Sequence, residues 1–123
     1  MIITIPITPV AKPRMTQGDK WKKRPRVQRY WAYKAELCLW MQVNDVTLPN
    51  HGWHITFYLP MPASWPDKKR HAHEGYPHMA KPDKDNLEKG FLDALFADDS
   101  CVWDGRVTKL WSKTPRITIT LKD

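Results

Sequence analysis

Cysteine is nearly absent: Cys38 and Cys101 are the two in 123 residues. They stand in no metal-binding or redox spacing, so both are expected as buried free thiols of a reducing compartment. Long apolar runs are missing too, and none approaches the ~18–20 residues that cross a bilayer. Ile2 to Ile7 is short and alternating, unlike a signal peptide, and a cytoplasmic location without membrane association follows as the expectation. There is no internal repeat and no sign of a second domain. Acidic residues are few, 13 against 20 Lys and Arg, giving a pI near 9.5.

The chain is nevertheless that of a folded protein. Hydrophobic residues make up 41% and there are seven Trp, which outweighs eleven Pro and a mean hydropathy of −0.62. At this length one domain over residues 1–123 is expected. The scarce acids are concentrated. Asp83, Asp85, Glu88, Asp93, Asp98, Asp99 and Asp104 fall within 22 residues that carry net −5, so the other 101 residues carry +12. Unpaired carboxylates held together repel one another, and a hard cation relieves that repulsion. The basic remainder suits a polyanion, and Mg²⁺ links carboxylates to phosphate. Metal-assisted phosphodiester chemistry on nucleic acid is the reading these charges favour.

The basic residues are clustered as well. Lys12, Arg14, Lys20, Lys22, Lys23, Arg24, Arg26 and Arg29 are opposed locally only by Asp19, and Lys68, Lys69 and Arg70 form a second group. Trp21 lies in the first run and Trp65 just before the second, which allows base stacking beside phosphate contact. A solvated basic face is the bland alternative, and clustering tilts against it.

Periodicity predicts a strand over Ile2 to Thr8, a basic loop or arm over 12–26 and a helix from Gln28 to Val43. A second strand follows from Trp53 to Leu59. The loop 61–82 is basic and contains a short helix through Ala72, opened by Ser64-Trp65-Pro66-Asp67. A helix from Asp85 to Ala97 comes next, then strands at Val102-Trp103, Val107 to Trp111 and Ile117 to Leu121, with Asp104-Gly105 as a bulge or turn. The fold class expected is α+β (mixed α/β), a small sheet with two main helices.

Asp83 and Asp85 stand where a loop becomes a helix, and either a shared face or a first helical turn lets both carboxylates reach one ion. Asp98 and Asp99 lie beyond that helix, ~20 Å away if it runs straight for thirteen residues. A shared site then requires an early helix end or a chain reversal. Read singly, Asp at a helix start is usually a cap, Asp85 with Lys89 is an ordinary surface pair, and Asp98-Asp99-Ser100 is a turn. His71, His73 and His78 invite a zinc reading, but the loop supplies no cysteine and no regular fourth ligand, so exposed histidines near nucleic acid are expected. Trp103 and Trp111 are expected in the core or at an interface.

Taken together, KPDKDNLEKGFLDALFADDSCVWDGRVTKLW (81–111) resembles the signature of the RusA family of Holliday-junction resolvases. Lys81-Pro82-Asp83, Asp85-Asn86-Leu87, Lys89, Asp93-Ala94-Leu95, Asp98-Asp99-Ser100, Val102 and a basic strand from Arg106 to Lys109 occur in order. Lys12-Pro13-Arg14 and Lys68-Lys69-Arg70 are similar to the family's basic elements. The resemblance implies a homodimeric nuclease of DNA recombination and repair, which uses Mg²⁺, or Mn²⁺ in its place, to resolve four-way junctions by paired symmetric nicks. It implies Asp83, Asp85 and Asp99 as metal-site acids, with Asp98 as the alternative to Asp99, and Lys89 as the essential lysine. Asp93 falls where the family also has an acid. Only Phe96 and Ala97 separate Leu95 from Asp98, a shorter connection than in several members. The DNA-binding set expected is Lys12, Arg14, Lys20, Lys22, Lys23, Arg24, Arg26, Lys68, Lys69 and Arg70. The competing function is a non-catalytic branched-DNA-binding or architectural protein. RNA binding through strand aromatics is disfavoured, because no such signature occupies the strands.

Overall fold

The computed structural model describes residues 1–14 and 24–121. In chain order the elements are β1 (Ile2–Ile5), α1 (Pro25–Val43), β2 (Trp53–Leu59), α2 (Asp67–His73), α3 (Lys84–Leu95), β3 (Gly105–Trp111) and β4 (Arg116–Leu121), with a 3₁₀ turn at Asp99–Cys101 before β3. The four strands form one mixed sheet in the order β1-β4-β2-β3, with β2 and β3 parallel and the other pairs antiparallel. The architecture is the expected α+β, with α2 as a third, short helix.

Alternation along β2 explains how the sheet takes its helices. Trp53, Ile55, Phe57 and Leu59 are buried and lie in register with Ile119 and Ile117 of β4 and with Gly105, Val107, Lys109 and Trp111 of β3. Side chains two apart share a face, so these residues form one inner surface. Against it pack Tyr30, Tyr33, Leu37 and Met41 of α1 and Leu87, Phe91, Leu92 and Ala94 of α3, in a single core cluster. Phe57 meets Phe91 edge to face at 5.9 Å. Gly105 is required by this packing, since a Cβ there would collide with the indole of Trp53.

Several boundaries differ from expectation. The helix predicted from Gln28 begins at Pro25, because Pro is accepted in the first turn where its missing N–H would be unpaired anyway. Arg26 is therefore helical and not part of a loop. β1 stops at Ile5, since Pro6 cannot extend the ladder. α3 ends at Leu95, two residues early. Val102-Trp103 is not strand; Asp98 instead caps the 3₁₀ turn, its side chain accepting from the Ser100 amide.

Three burial expectations are also corrected. Both cysteines are exposed free thiols: Leu37 takes the core position that Cys38 does not, and Cys101 lies in the surface turn. Trp103, expected in the core or at an interface, is 71% exposed in the single chain and stacked on His51 at 5.1 Å, so it is not part of the core. His78 was expected exposed and is 4% exposed, because Gly75 to His78 runs along the free edge of β3. The His78 amide donates to Lys109 O, the Gly75 amide to Trp111 O and the Trp111 amide to Tyr76 O, and Pro77 bridges Leu110. This cover protects a sheet edge and orders the second half of the 61–82 loop.

Candidate active site and nucleic-acid interface

Asp83 is the N-terminal cap residue of α3, yet its carboxylate makes no capping bond; the Asp83 carbonyl accepts from the Leu87 amide instead. The carboxylate faces outward and carries Lys81 Nζ on both oxygens, at 3.0 and 3.2 Å. Asp85, in the first turn, accepts from the Asn86 amide through Oδ1 at 3.0 Å and is exposed. Two carboxylates thus flank the start of one helix with an ammonium already seated on one of them.

Lys109 explains how the approach to Asp83 is fixed. Its Nζ donates to the carbonyls of Ala80 and of Pro82, the latter at 2.7 Å. Sequence reading placed Lys109 in a basic strand and missed this role. The signal was present, because Lys109 shares the inward parity of Val107 and Trp111, where a charged side chain needs a specific partner.

Lys89 is exposed and makes no ion pair with Asp85 or any other acid among the described residues. It lines a cleft of about 430 Å³ with Lys12, Pro13, Arg14 and Asn86. The Lys12-Pro13-Arg14 segment is pinned to α3: the Lys12 amide donates to Asn86 O at 3.1 Å and the Lys12 ammonium pairs with Asp93. Asp93 therefore has a structural partner. Gly90 permits the approach, since a Cβ there would sit 2.9 Å from Lys12 N and 3.2 Å from the Tyr30 ring. Tyr30 donates to Gly90 O at 2.9 Å, and burial, then the Asp93 charge, push its phenol up to about 12, so it stays a neutral donor.

A second cleft, of about 620 Å³, adjoins the first and shares Lys12 and Pro13 with it; Arg26, Arg29 and Lys81 add three more cations. Arg24 reaches Arg14 O at 2.9 Å, tying the end of the described arm to the start of α1. Lys20, Lys22 and Lys23 lie outside the described residues. In the other basic group Lys68 is exposed, Lys69 lies 4.3 Å over the Trp65 ring, and Arg70 donates to Pro62 O. Trp65 is half-buried between Lys69, His73 and Trp111.

Asp98 and Asp99 separate in role. Asp98 is committed to its turn, and the Ser100 amide and hydroxyl hold its carboxyl below the usual range. Asp99 is half-buried and lines a cleft of about 350 Å³ with Glu88 and Leu92 of α3, Trp103 and Asp104. The chain therefore reverses after Leu95 and brings Asp99 back beside the middle of α3. Among the described residues no three His, Cys, Asp or Glu side chains stand close enough to hold a metal ion together. Asp83 and Asp85 share the helix start, and Asp99 joins Glu88 and not that pair.

A two-layer α+β domain with carboxylates at a helix start and cations on the adjoining clefts has the surface of a protein that works on polyanions. Residues 6–122 match the family described as Endodeoxyribonuclease RusA, and the chain belongs to that family. It is also similar to the uncharacterized protein YqaN of Bacillus subtilis (strain 168), with 38% identity over 77 residues, 56% of this chain and 54% of that protein. The chain thus spans about half the length of that relative. No helix among the described residues is long and apolar enough to cross a membrane.

Proposed function

We propose that this protein is a divalent-metal-dependent endodeoxyribonuclease that resolves four-way DNA junctions by paired nicks, working as a homodimer. The observation that carries the reading is the placement of Asp83 and Asp85 beside two cation-lined clefts that share Lys12 and Pro13, in a chain of the RusA family.

The donor set fits Mg²⁺. All the candidate ligands are hard oxygens, and Asp83 already accepts a cation on both oxygens. Mg²⁺ keeps several waters and is commonly bound by one or two carboxylates plus substrate phosphate, so a complete protein cage is not required. Asp83 and Asp85 would hold it; of the other two acids Asp99, beside Glu88 rather than at the helix start, is freer to take part than Asp98, which is engaged in its turn. When bound, such an ion polarises the scissile phosphate and lowers the pKa of an attacking water.

The chain's own residues do the rest. Arg26, Arg29 and Lys81 draw the phosphate backbone toward α3, with Lys12 and Arg14 extending the track. Lys89 stabilises charge that develops on the phosphate in the transition state. Lys81 exchanges its contact with Asp83 for phosphate when DNA arrives, which frees that carboxylate for the cation.

The test is cleavage of a synthetic four-way junction, beside matched linear duplex, by wild type and by Asp83→Asn and Asp85→Asn. Both variants should lose Mg²⁺-dependent cutting and bind the junction as tightly or more tightly, since each removes a negative charge facing phosphate. Wild-type cutting by both would sink the assignment. Binding in EDTA by a wild type that never cuts with metal would leave a non-catalytic junction binder.

A further inference from the structure

The 620 Å³ cleft holds a feature that phosphate binding does not use. Pro9, Leu59, Met61 and Trp111 give it an apolar lining. His78 lies among them with its ring 4.0 Å from that of Trp111. His78 is 4% exposed, and its Nδ1 makes no hydrogen bond of ordinary geometry, although the carbonyls of His78 and Ala80 stand near enough to the ring to oppose the fall in its pKa. A buried polar atom without a well-formed bond is uncommon, and a bound water or ligand is one way to complete it. Burial, then the Lys109 ammonium, hold the His78 pKa down. The neutral ring offers one donor and one acceptor nitrogen, as the edge of a nucleobase requires.

The rim points to the same occupant. Arg26 and Arg29 stand one turn apart on α1, both exposed and without a salt bridge among the described residues. With Lys81 they surround an apolar slot whose volume lies in the ~300–1,000 Å³ range of small-ligand sites. Pro82 lines the slot and the next residue is Asp83, so the opening adjoins the candidate catalytic carboxylate. A base released from its stack can reach such a cleft, at least cost where pairing is already lost.

We propose that this cleft is a subsite for one unpaired DNA nucleotide next to the scissile phosphodiester, with its base on Trp111, its edge read by His78 and its phosphates on Arg26, Arg29 and Lys81. The inference rests on the nuclease reading for its substrate class and assigns base preference to His78 and Trp111.

The full chain, ¹⁵N-labelled and in EDTA so that nothing is cut, is titrated with a short single-stranded oligonucleotide, a linear duplex and a four-way junction. The His78 ring and Trp111 indole resonances should shift and saturate with the single strand and the junction, and stay in place with the duplex. Arg26→Ala with Arg29→Ala, both at exposed positions, should weaken single-strand affinity roughly tenfold through lost phosphate contacts. His78→Gln should alter the ranking among homo-oligonucleotides. The subsite is overturned if the junction saturates the protein while both resonances stay still, or if inorganic phosphate alone moves them as far. A single strand that enters here while the junction is neither bound nor cut would retire the resolvase reading and keep the subsite.

Discussion

Lys109 holds two carbonyls of the segment that delivers Asp83, and its removal should misplace that carboxylate without touching it. Displacements near 1 Å in a reacting group can cost up to ~10²-fold. Lys109→Ala should therefore slow single-turnover cleavage by about 10- to 100-fold at unchanged junction affinity, and Lys109→Arg should recover part of it. Equal rates for wild type and the alanine variant would remove Lys109 from the positioning role. At the acidic pair, Asp99→Asn should impair cutting and Asp98→Asn should chiefly loosen the 3₁₀ turn, separable by cleavage rate against thermal stability. On the acid side the titrating groups act in one direction. His54 and His78 are both shifted down, first by burial and then by Arg106 and Lys109 respectively. Below the ordinary imidazole value of about 6.5 the unfolded chain takes up protons that the folded one refuses, so stability falls with acidity. Glu74, held down by the Lys113 amide, and Asp98, held down by Ser100, continue that loss as pH drops through the ordinary carboxylate range near 4. Melting temperature should thus decline from pH 7.5 to 5.5, and His78→Phe should flatten part of that slope.

At the scale of elements, α3 joins fold to site, because it packs Leu87 and Phe91 inward while its first turn and Lys89 face the basic clefts. Gly90→Ala would gain up to ~1 kcal/mol of helix propensity, but overpacking costs ~1–3 kcal/mol. The Cβ would meet the backbone of Lys12, which cannot swing aside as a side chain does. Net destabilisation and a weakened hold on Lys12-Pro13-Arg14 are expected, read as a lower denaturation midpoint and poorer junction binding. Helices and central strands were legible from periodicity because each has one apolar face: Tyr30, Tyr33, Leu37 and Met41 in α1, and Trp53, Ile55, Phe57 and Leu59 in β2. Sheet order was not legible, since the parallel pairing of β2 with β3 is set by packing around α3 and leaves no local mark. Nor was the burial of His78, which depends on the loop before α3 covering β3. The reversal that brings Asp99 beside Glu88 was a stated requirement without a visible cause, and it follows from α3 ending at Leu95 with Phe96 extended. The arm belongs to this scale too. Replacing Lys22, Lys23 and Arg24 by Ala should flatten the salt dependence of junction binding by ~0.9 log unit per lost duplex phosphate contact, and an unchanged slope would place the DNA path elsewhere.

For the molecule as a whole, the charge distribution seen in the sequence survives in three dimensions as cationic clefts beside an acidic helix start, but one chain offers one such start. A four-way junction presents two equivalent strands, and a single 14.5 kDa protomer would have to leave and rebind between nicks. Closed two-fold symmetry is the commonest oligomeric arrangement and matches the approximate two-fold symmetry of the proposed substrate. The single chain also leaves apolar surface uncovered. On α1, Trp31, Leu39 and Val43 are 43%, 61% and 74% exposed, and with Ala35 they recur every four residues along one side, away from the core stripe of Tyr30, Tyr33 and Leu37. Aromatic and aliphatic residues grouped on one helix face are the composition of an interface centre, where charged residues are depleted. Sedimentation at micromolar concentration should report about twice the chain mass, and Leu39→Glu should shift the protein toward the single-chain mass by placing a charge in that contact. Such a variant should nick one strand of a junction and release it before the second cut, so nicked intermediates accumulate. A wild-type protein that sediments as one chain yet makes both nicks in one binding event would refute the dimer; a dimer indifferent to Leu39→Glu would move the contact off α1.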